Sequence, residues 1–575
     1  MYKSFFISRV EEPGGNLLRI ISLVFVTLVC IPVSYTIYGA FLTGYPGAPD
    51  TTLDTTALAA VYGSTRYFEA TVNSIIIGFW TATLSTLIGG TIAWFVARTD
   101  LPGKKVIDSL MLGAICIAPV LSTMAWLALL APRSGFLNAW SFSLVGSELI
   151  DLYSMVGIVG VMTTYYVSFG YLFNVGSFTA LSSEEEEAAR IHGAGILGTV
   201  WQVTIPAVRS SLLGGWVLIF AISAQTFAVP SILGDPAGIK TVAAAIYRGI
   251  AVGGTSPGEI TSLGTLLLWP ALLAFVLHFR STKGARDVVL FARAARQGLV
   301  QLGSWRIFFV VVIAIYLVVT VLLPLSALTL TSFLRFRTPN LTWQLFTVEH
   351  YTIIFSSYSF QRALMNTLQI ALWTACLGTV AALLLAYAIC YSRSLTARLA
   401  EIVAVLPVAV PHMVMALGFL WAVTGIEYWL ENPGTLSVMI VAIMTAYIGI
   451  GVRTMLSTMV QIPQVLDEAA RVSGASLLVR LVRIIGPVIL PTVVSVWRIF
   501  FILAILEISI VVLLYRSESV TISVMTFLRV YETGTAAAFP LGVLQLGMVL
   551  AAVLLTSFLN FCLRRMQTPA MLNAR

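Results

Sequence analysis

Twelve long apolar segments, separated by short polar ones, account for most of this chain. A helix needs about 20 apolar residues to cross the hydrocarbon core of a bilayer, and each segment is long enough. The segments do not alternate apolar and polar residues as barrel strands do, so they predict membrane-spanning helices. The predicted spans are 18–43, 71–97, 106–131, 153–178, 207–230, 259–280, 306–332, 361–391, 400–424, 435–458, 488–514 and 539–563.

The composition supports the same fold class. Of 575 residues, 58% are hydrophobic and only 10% are charged, which excludes an ordinary soluble domain and predicts an all-α polytopic membrane protein. The formal net charge of +8 is spread over separate short loops, so it indicates membrane topology and gives no nucleic-acid surface. The positive-inside rule then places both termini in the cytoplasm.

One polar segment occurs twice, in register. Residues 186–206 read EEAARIHGAGILGTVWQVTIP, and residues 467–487 read DEAARVSGASLLVRLVRIIGP. The second span of each half also matches, because Asn73 and Trp80 recur as Asn366 and Trp373. The chain is therefore expected to contain two six-helix repeats. Since six is an even number, the repeats run parallel about the membrane normal, with a cavity for a solute between them.

These repeats set the expected domain boundaries. The first half covers residues 1–280 and the second covers 306–575, with polar loops near 182–206 and 463–487. A basic connector, 281–305, joins them, and its amphipathic part is expected to lie on the inner membrane surface.

Each polar loop has the pattern of a short docking helix. Acidic residues in the first turn suit the helix dipole, and a glycine allows the chain to turn afterwards. Paired alanines leave one side of the helix bare, so another protein could approach the backbone. A solvated linker helix is the alternative, and the second copy argues against it.

The loops resemble the coupling loop in permease subunits of type I ABC importers. That motif has EAA, three residues, glycine, and then an aliphatic stretch ending in proline. The whole chain resembles the fused permeases of the ferric iron, thiamine and aminoethylphosphonate importers, and ARTDLPGKK, FAVPSILG and LEISIVVLLY look most like the ferric branch. The matching residues are Glu187, Ala188, Ala189, Gly193, Glu468, Ala469, Ala470 and Gly474.

The resemblance implies a multi-pass permease of the bacterial inner membrane that is not itself an enzyme. Two copies of a cytoplasmic ABC ATPase would hold the two loops, chiefly through Glu187 and Glu468, and a periplasmic binding protein would deliver a small-molecule or ion substrate. The chain has no GxxxxGK[ST] phosphate loop. ATP and magnesium are therefore expected on the partner ATPase, and the chain itself is expected to bind no cofactor.

The solute path has fewer signals. Glu507 is the most isolated ionisable residue within a predicted span, and such residues are functional candidates. The equivalent region of the first half contains Gln225 and Thr226, and Asn73 with Asn366 forms a further pair. An interhelical hydrogen bond is the alternative role for each of them, above all for the asparagines. The four histidines do not cluster in the sequence, so no metal site is expected.

Two other classes of protein remain possible on the sequence. A secondary transporter can also have two parallel six-helix halves, but it needs no ATPase, and the paired EAA loops argue against it. A membrane enzyme needs convergent His, Asp or Cys residues, and the sequence has no such group at recognisable spacing.

Overall fold

The computed structural model describes residues 15–282, 298–392, 394–404, 406–427, 435–533 and 536–572. Within those ranges the chain is helical, and extended pairing is limited to three isolated bridges. Ten continuous helices there are long and apolar enough to cross a membrane. The predicted all-α membrane fold is confirmed. Most of the predicted connector, including its amphipathic part, lies outside the described residues.

The first half begins with a span, followed by a short helix and a second, longer span. Its helices are α1 (Gly15–Gly39), α2 (Thr56–Tyr62), α3 (Thr65–Arg98), α4 (Lys104–Ala114), α5 (Pro119–Leu130), α6 (Phe136–Val145), α7 (Met155–Ala180), α8 (Ser183–Ile191), α9 (Ile196–Ala224), α10 (Val242–Ala251) and α11 (Pro257–Thr282).

The second half repeats this order. Its helices are α12 (Trp305–Ser332), α13 (Glu349–Ser356), α14 (Tyr358–Tyr391), α15 (Leu395–Val403), α16 (Leu406–Ala409), α17 (His412–Glu427), α18 (Thr435–Met459), α19 (Gln464–Val472), α20 (Leu477–Leu506), α21 (Val511–Leu514), α22 (Ile522–Thr533) and α23 (Phe539–Leu572).

The third span of each half is broken, which corrects the prediction of one straight helix in each place. Helices α4 and α5 meet at 102°, and α5 starts at Pro119, which has no N–H to continue the preceding helix. In the second half, the predicted span 400–424 is divided among α15, α16 and α17, with Pro407 and Pro411 at the breaks.

The fifth span of each half ends earlier than predicted. Helix α9 stops at Ala224 instead of residue 230, and α20 stops at Leu506 instead of residue 514. After α20, the Glu507 carboxylate accepts a hydrogen bond from the Ile510 backbone N–H at 3.0 Å and so supports the turn into α21. A short helical segment follows each of these spans: Pro230–Gly234 precedes α10, and α21 precedes α22.

The two halves exchange their first spans. Helix α1 packs against α15 and α17 of the second half, and the end of α12 packs against α5 of the first half. Phe25 and Val29 belong to the same apolar cluster as Ala382 and Leu385, which are on α14. This exchange joins the halves along their outer flanks and leaves α9, α20 and the segments after them at the centre.

Candidate functional site: two polar helices and a central cluster

The first polar helix, α8, begins and ends as its sequence predicts. The Ser182 hydroxyl accepts a hydrogen bond from the Glu184 N–H at 3.3 Å, and three glutamates lie in the first turn. Gly193 has φ of 88°, and the Ala194 N–H donates to the Ala189 carbonyl at 3.0 Å. Glycine adopts this left-handed conformation without strain, so the helix closes with a sharp turn.

The second polar helix, α19, closes in the same way. Gly474 has φ of 78°, and the Ala475 N–H donates to the Ala470 carbonyl at 3.0 Å. Its N-cap residue is Pro463, which supplies no side-chain cap. The repeated segment therefore forms the same short helix and the same turn in both halves.

Both helices present an exposed surface. Glu187, Ala188, Glu468 and Ala469 are exposed, whereas Ala189 is half-buried and Ala470 is buried. Large apolar side chains lie beside them, and Ile191 and Val472 are 84% and 91% exposed. Each polar helix therefore ends on an exposed aliphatic residue, at the same position in both halves.

The residue just before the motif glutamate is buried, and it fastens α8 to the membrane helices. The Glu186 carboxylate lies 2.5 Å from the Arg98 guanidinium at the end of α3, and the Thr204 hydroxyl of α9 donates to it at 2.7 Å. Arg98 also donates to the Leu181 carbonyl at 2.9 Å. A displacement of α8 would therefore be passed directly to α3 and α9.

Asp467 has the same position and the same burial in α19, but different partners. The Arg480 guanidinium at the start of α20 lies 3.0 Å from its carboxylate, and the Tyr387 hydroxyl of α14 donates to it at 2.7 Å. Glu186 and Asp467 were not among the residues predicted from the sequence. The available signal was an acid at the same position of both copies, one residue before the motif glutamate.

Glu507 lies in a buried polar group, which we call the central cluster: Glu507, His412 and Tyr447. The Tyr447 hydroxyl donates to the Glu507 carboxylate, and the His412 Nδ1 lies 3.1 Å from the same oxygen. The His412 side chain is 31% exposed, whereas that of Glu507 is 3% exposed. His412 is thus the accessible member of the cluster, and it is placed there by the break before α17.

The first half contributes tyrosines beside the central cluster. Tyr165 and Tyr166 of α7 and Tyr447 belong to the same packed cluster of apolar side chains. The Tyr166 hydroxyl is 2.6 Å from the Thr226 hydroxyl, directly after α9. The region containing Thr226 and the region containing Glu507 therefore approach each other through Tyr166.

The other candidate path residues lie elsewhere. Gln225 donates to the Ala221 carbonyl at 2.6 Å and faces a small cavity between α9 and α11. Asn73 donates to the Lys240 carbonyl at 3.0 Å, and Asn366 donates to the Glu518 and Val520 carbonyls, each at 3.0 Å. Both asparagines thus tie the second span of their half to the segment before α10 or α22. Their part in the solute path stays a prediction.

Known transport permeases resemble this chain in sequence. The profile of the family described as "Binding-protein-dependent transport system inner membrane component" matches residues 375–568. The ferric transport system permease protein FbpB of Actinobacillus pleuropneumoniae is 22% identical over 551 residues, which cover 94% of this chain and 77% of that protein. By these matches the chain resembles the fused permeases of ABC importers, and the ferric group among them, and we refer to it below as the permease.

Other relatives include a second ferric permease and a sulfate permease. The putative ferric transport system permease protein FbpB 1 of Haemophilus influenzae is 23% identical over 78% of the permease and 70% of its own length. The sulfate transport system permease protein CysW of Synechococcus elongatus is 27% identical over 30% of the permease and 58% of its own length. A solved bacterial alginate ABC transporter overlaps 41% of the permease and 84% of its own chain, at 13% identity and a TM-score of 0.35, a likeness too weak to carry an argument.

The end of the permease opposite α8 and α19, which we call the far end, is closed by aromatic side chains. Tyr247 of α10 and Phe527 of α22 pack edge to face with 5.4 Å between ring centroids. Phe227 lies 4.9 Å from Phe527, and Tyr531 stacks on Phe527 at 5.3 Å. These rings come from both halves, so they close the interface between the halves at this end.

A polar contact between the halves lies beside those rings. Asp235 of the first half pairs with the Arg248 guanidinium and accepts a hydrogen bond from the Tyr531 hydroxyl of the second half at 2.7 Å. Burial raises the pKa of Tyr531 to about 12, so the phenol stays protonated and remains a donor at physiological pH. We call Asp235, Arg248 and Tyr531 the far-end latch.

Proposed function

We propose that this permease is the membrane subunit of an ATP-driven, binding-protein-dependent importer of ferric iron. Coupling to an ATPase is supported by the two exposed helices, α8 and α19. A buried acid fastens each of them to the membrane spans. The observation that favours ferric iron is the likeness to a ferric permease over 94% of the chain.

Two copies of a cytoplasmic ATPase would hold Glu187 and Glu468, with ATP and magnesium bound on the ATPase. When the ATPases close, α8 and α19 would approach each other. The Glu186–Arg98 pair would pull α3, while Asp467 would pull α14 through Tyr387 and α20 through Arg480. Buried, hydrogen-bonded pairs suit this task because they transmit displacement without an intervening water layer.

The solute would pass between the halves, beside the central cluster. The far end is closed by the aromatic rings and the far-end latch, which is the arrangement expected before ATPase closure. A periplasmic binding protein would deliver the solute at the far end after the latch opens. A buried carboxylate and an imidazole suit a hard or intermediate metal cation better than an anion.

The test is uptake of labelled ferric iron by iron-starved cells that carry or lack this permease, with labelled thiamine, aminoethylphosphonate and sulfate in parallel. Loss of ferric uptake alone on deletion is the expected result. Unchanged ferric uptake with loss of another solute would overturn the assignment of iron and leave the importer class intact.

Uptake of a different small solute by the same importer class is the second candidate. The sulfate permease relative supports it, since that protein is similar over 30% of the chain. A secondary transporter is a weaker alternative. Abolition of uptake by a protonophore, in cells whose ATP remains high, would favour it over the ATP-driven mechanism.

A further inference from the structure

The permease has an open groove of about 730 Å³ on the flank of its first half. Its walls are α3, the first turns of α9 and the start of α12, all of which belong to membrane-spanning helices. The lining is almost wholly apolar, and Leu87, Leu213 and Trp305 are more than half exposed there. The groove lies between α3 and α9 of the first half and the start of α12 of the second half, and its exposed apolar lining faces the lipid.

Small residues on α3 create this space. Gly90 and Thr91 line the groove, and the matched positions of the second half, in the register that aligns Asn73 with Asn366, are Leu383 and Leu384. A Cβ atom added at Gly90 would come no closer than 3.4 Å to the neighbouring Leu212. Leucines at these two positions would fill the space that the first half leaves open.

Two polar atoms in the groove lining are buried and have no hydrogen-bond partner. They are the Trp94 Nε1 and the Thr86 Oγ1. Neither atom is accessible from the groove, so a ligand there contacts the carbon atoms of these side chains and not the two polar atoms. The wall otherwise offers a ligand only aliphatic and aromatic contacts.

The groove has a polar end and an apolar end. Trp94 lies one turn before Arg98, at the end of the membrane that carries α8, together with Ile196 and Trp305. The exposed residues Arg209 and Arg306 lie at this same end, within a turn of lining residues of α9 and α12. From Trp94 to Thr83 the groove runs about 16 Å along α3, on a rise of 1.5 Å per residue. That length suits a fatty acyl chain.

We propose that this groove binds one acyl chain of an anionic phospholipid. The chain lies along α3 towards Thr83, the Trp94 ring packs against its first carbons, and the phosphate lies near Arg209 and Arg306. Anionic headgroups are attracted to basic residues at the membrane surface, whereas a zwitterionic headgroup gains less. Lipid bound here contacts the first turns of α9, directly after α8, and this site does not depend on the identity of the solute.

The test is native mass spectrometry of the full-length permease after delipidation, titrated with dioleoyl phosphatidylglycerol or dioleoyl phosphatidylcholine. We expect one tightly bound phosphatidylglycerol, with an affinity at least tenfold above that for phosphatidylcholine. Gly90→Leu combined with Thr91→Leu fills the groove and should abolish this binding, whereas Thr91→Ala leaves the groove open and should retain it.

Two further variants keep the proposal testable if the filled variant does not fold. Trp94→Ala removes the aromatic ring that lines the polar end of the groove, so it should weaken binding severalfold. Arg209→Gln with Arg306→Gln should remove the preference for phosphatidylglycerol. Unchanged phosphatidylglycerol binding in the folded, filled variant would overturn the proposal, as would equal affinity for both lipids in the unaltered permease. Recovery of a small hydrophobic protein in the groove, in place of lipid, would also overturn it.

Discussion

Arg98 and Glu186 form a buried ion pair, with 2.5 Å between the Arg98 Nη2 and the Glu186 Oε2 and side chains that are each 1% exposed. The pair joins the end of the second membrane span, α3, to the polar helix that follows the fourth span, α7. Removal of one partner would leave the other charge buried and without its main counter-charge. Mutational data on such pairs give losses of about 3–5 kcal/mol.

We therefore expect Arg98→Ala to lower the free energy of unfolding by about 3 kcal/mol and to loosen α8 first. Hydrogen exchange of residues 183–191 in the purified permease measures this effect. The matched control is Arg190→Ala, because Arg190 is 33% exposed and lies 3.8 Å from the same carboxylate, so its loss should cost less than about 1 kcal/mol. Equal protection of α8 in Arg98→Ala and the unaltered permease would contradict this role.

Helices α3 and α7 approach so closely that Gly89 has no room for a side chain. A Cβ atom there would lie 2.4 Å from the Val167 carbonyl oxygen and 2.6 Å from the Tyr171 nitrogen, both of them backbone atoms. Gly89→Ala should therefore force the helices apart and cost about 1–3 kcal/mol. Gly90→Ala is the adjacent control, since its nearest contact would be 3.4 Å. Thermal unfolding in detergent should separate the two variants, and equal midpoints would refute the packing argument.

The sequence predicted the features of the polar helices that depend on local chemistry. Gly193 and Gly474 end the helices in the left-handed conformation, and Glu187 and Glu468 are exposed. Local patterns suffice for these features because a helix terminus is determined within a few residues. The anchors of Glu186 and Asp467 differ between the halves, so the repeat alone could not identify Arg98, Tyr387 or Arg480.

Hydropathy could not reveal the breaks in the third spans. Both α4 and α5 are apolar. The mean hydropathy over a sequence window is therefore the same as for one straight helix, and it gives no sign of the bend. Pro119 and Pro411 were the visible signals. The partnership of His412 with Glu507 depends on this break, which explains why the histidine seemed isolated in the sequence.

The central cluster gives a prediction about transport. Glu507→Gln keeps the size of the side chain but removes the charge that His412 and Tyr447 contact, so solute uptake should fall at least tenfold while membrane insertion is unchanged. Tyr447→Phe removes one hydrogen bond and should have a smaller effect. Uptake by cells that express equal amounts of each variant measures both, and normal uptake by Glu507→Gln would rule out a role in the path.

The far-end latch gives a prediction about access. Asp235→Asn should weaken the contact of Asp235 with Arg248 and Tyr531, so the far end should open more often. A Ser231→Cys reporter, in a background without the five native cysteines, should then react several times faster with a membrane-impermeant maleimide. Ser231 is buried in the segment that precedes Asp235. Arg248→Lys keeps the charge pair and should label at the original rate; an unchanged rate in Asp235→Asn would show that the latch does not hold this end closed.

The central claim is that α8 and α19 transmit the work of a separate ATPase to the solute path. It is tested most directly by ferric iron uptake into proteoliposomes that contain the permease, its ATPase and its binding protein, with or without ATP. The unaltered permease should accumulate iron only with ATP, and Glu187→Lys with Glu468→Lys should not. Glu148→Lys with Glu349→Lys makes the same charge change at exposed positions away from both helices and should transport normally. Accumulation without ATP, or a normal rate in the Glu187→Lys and Glu468→Lys double variant, would contradict the account.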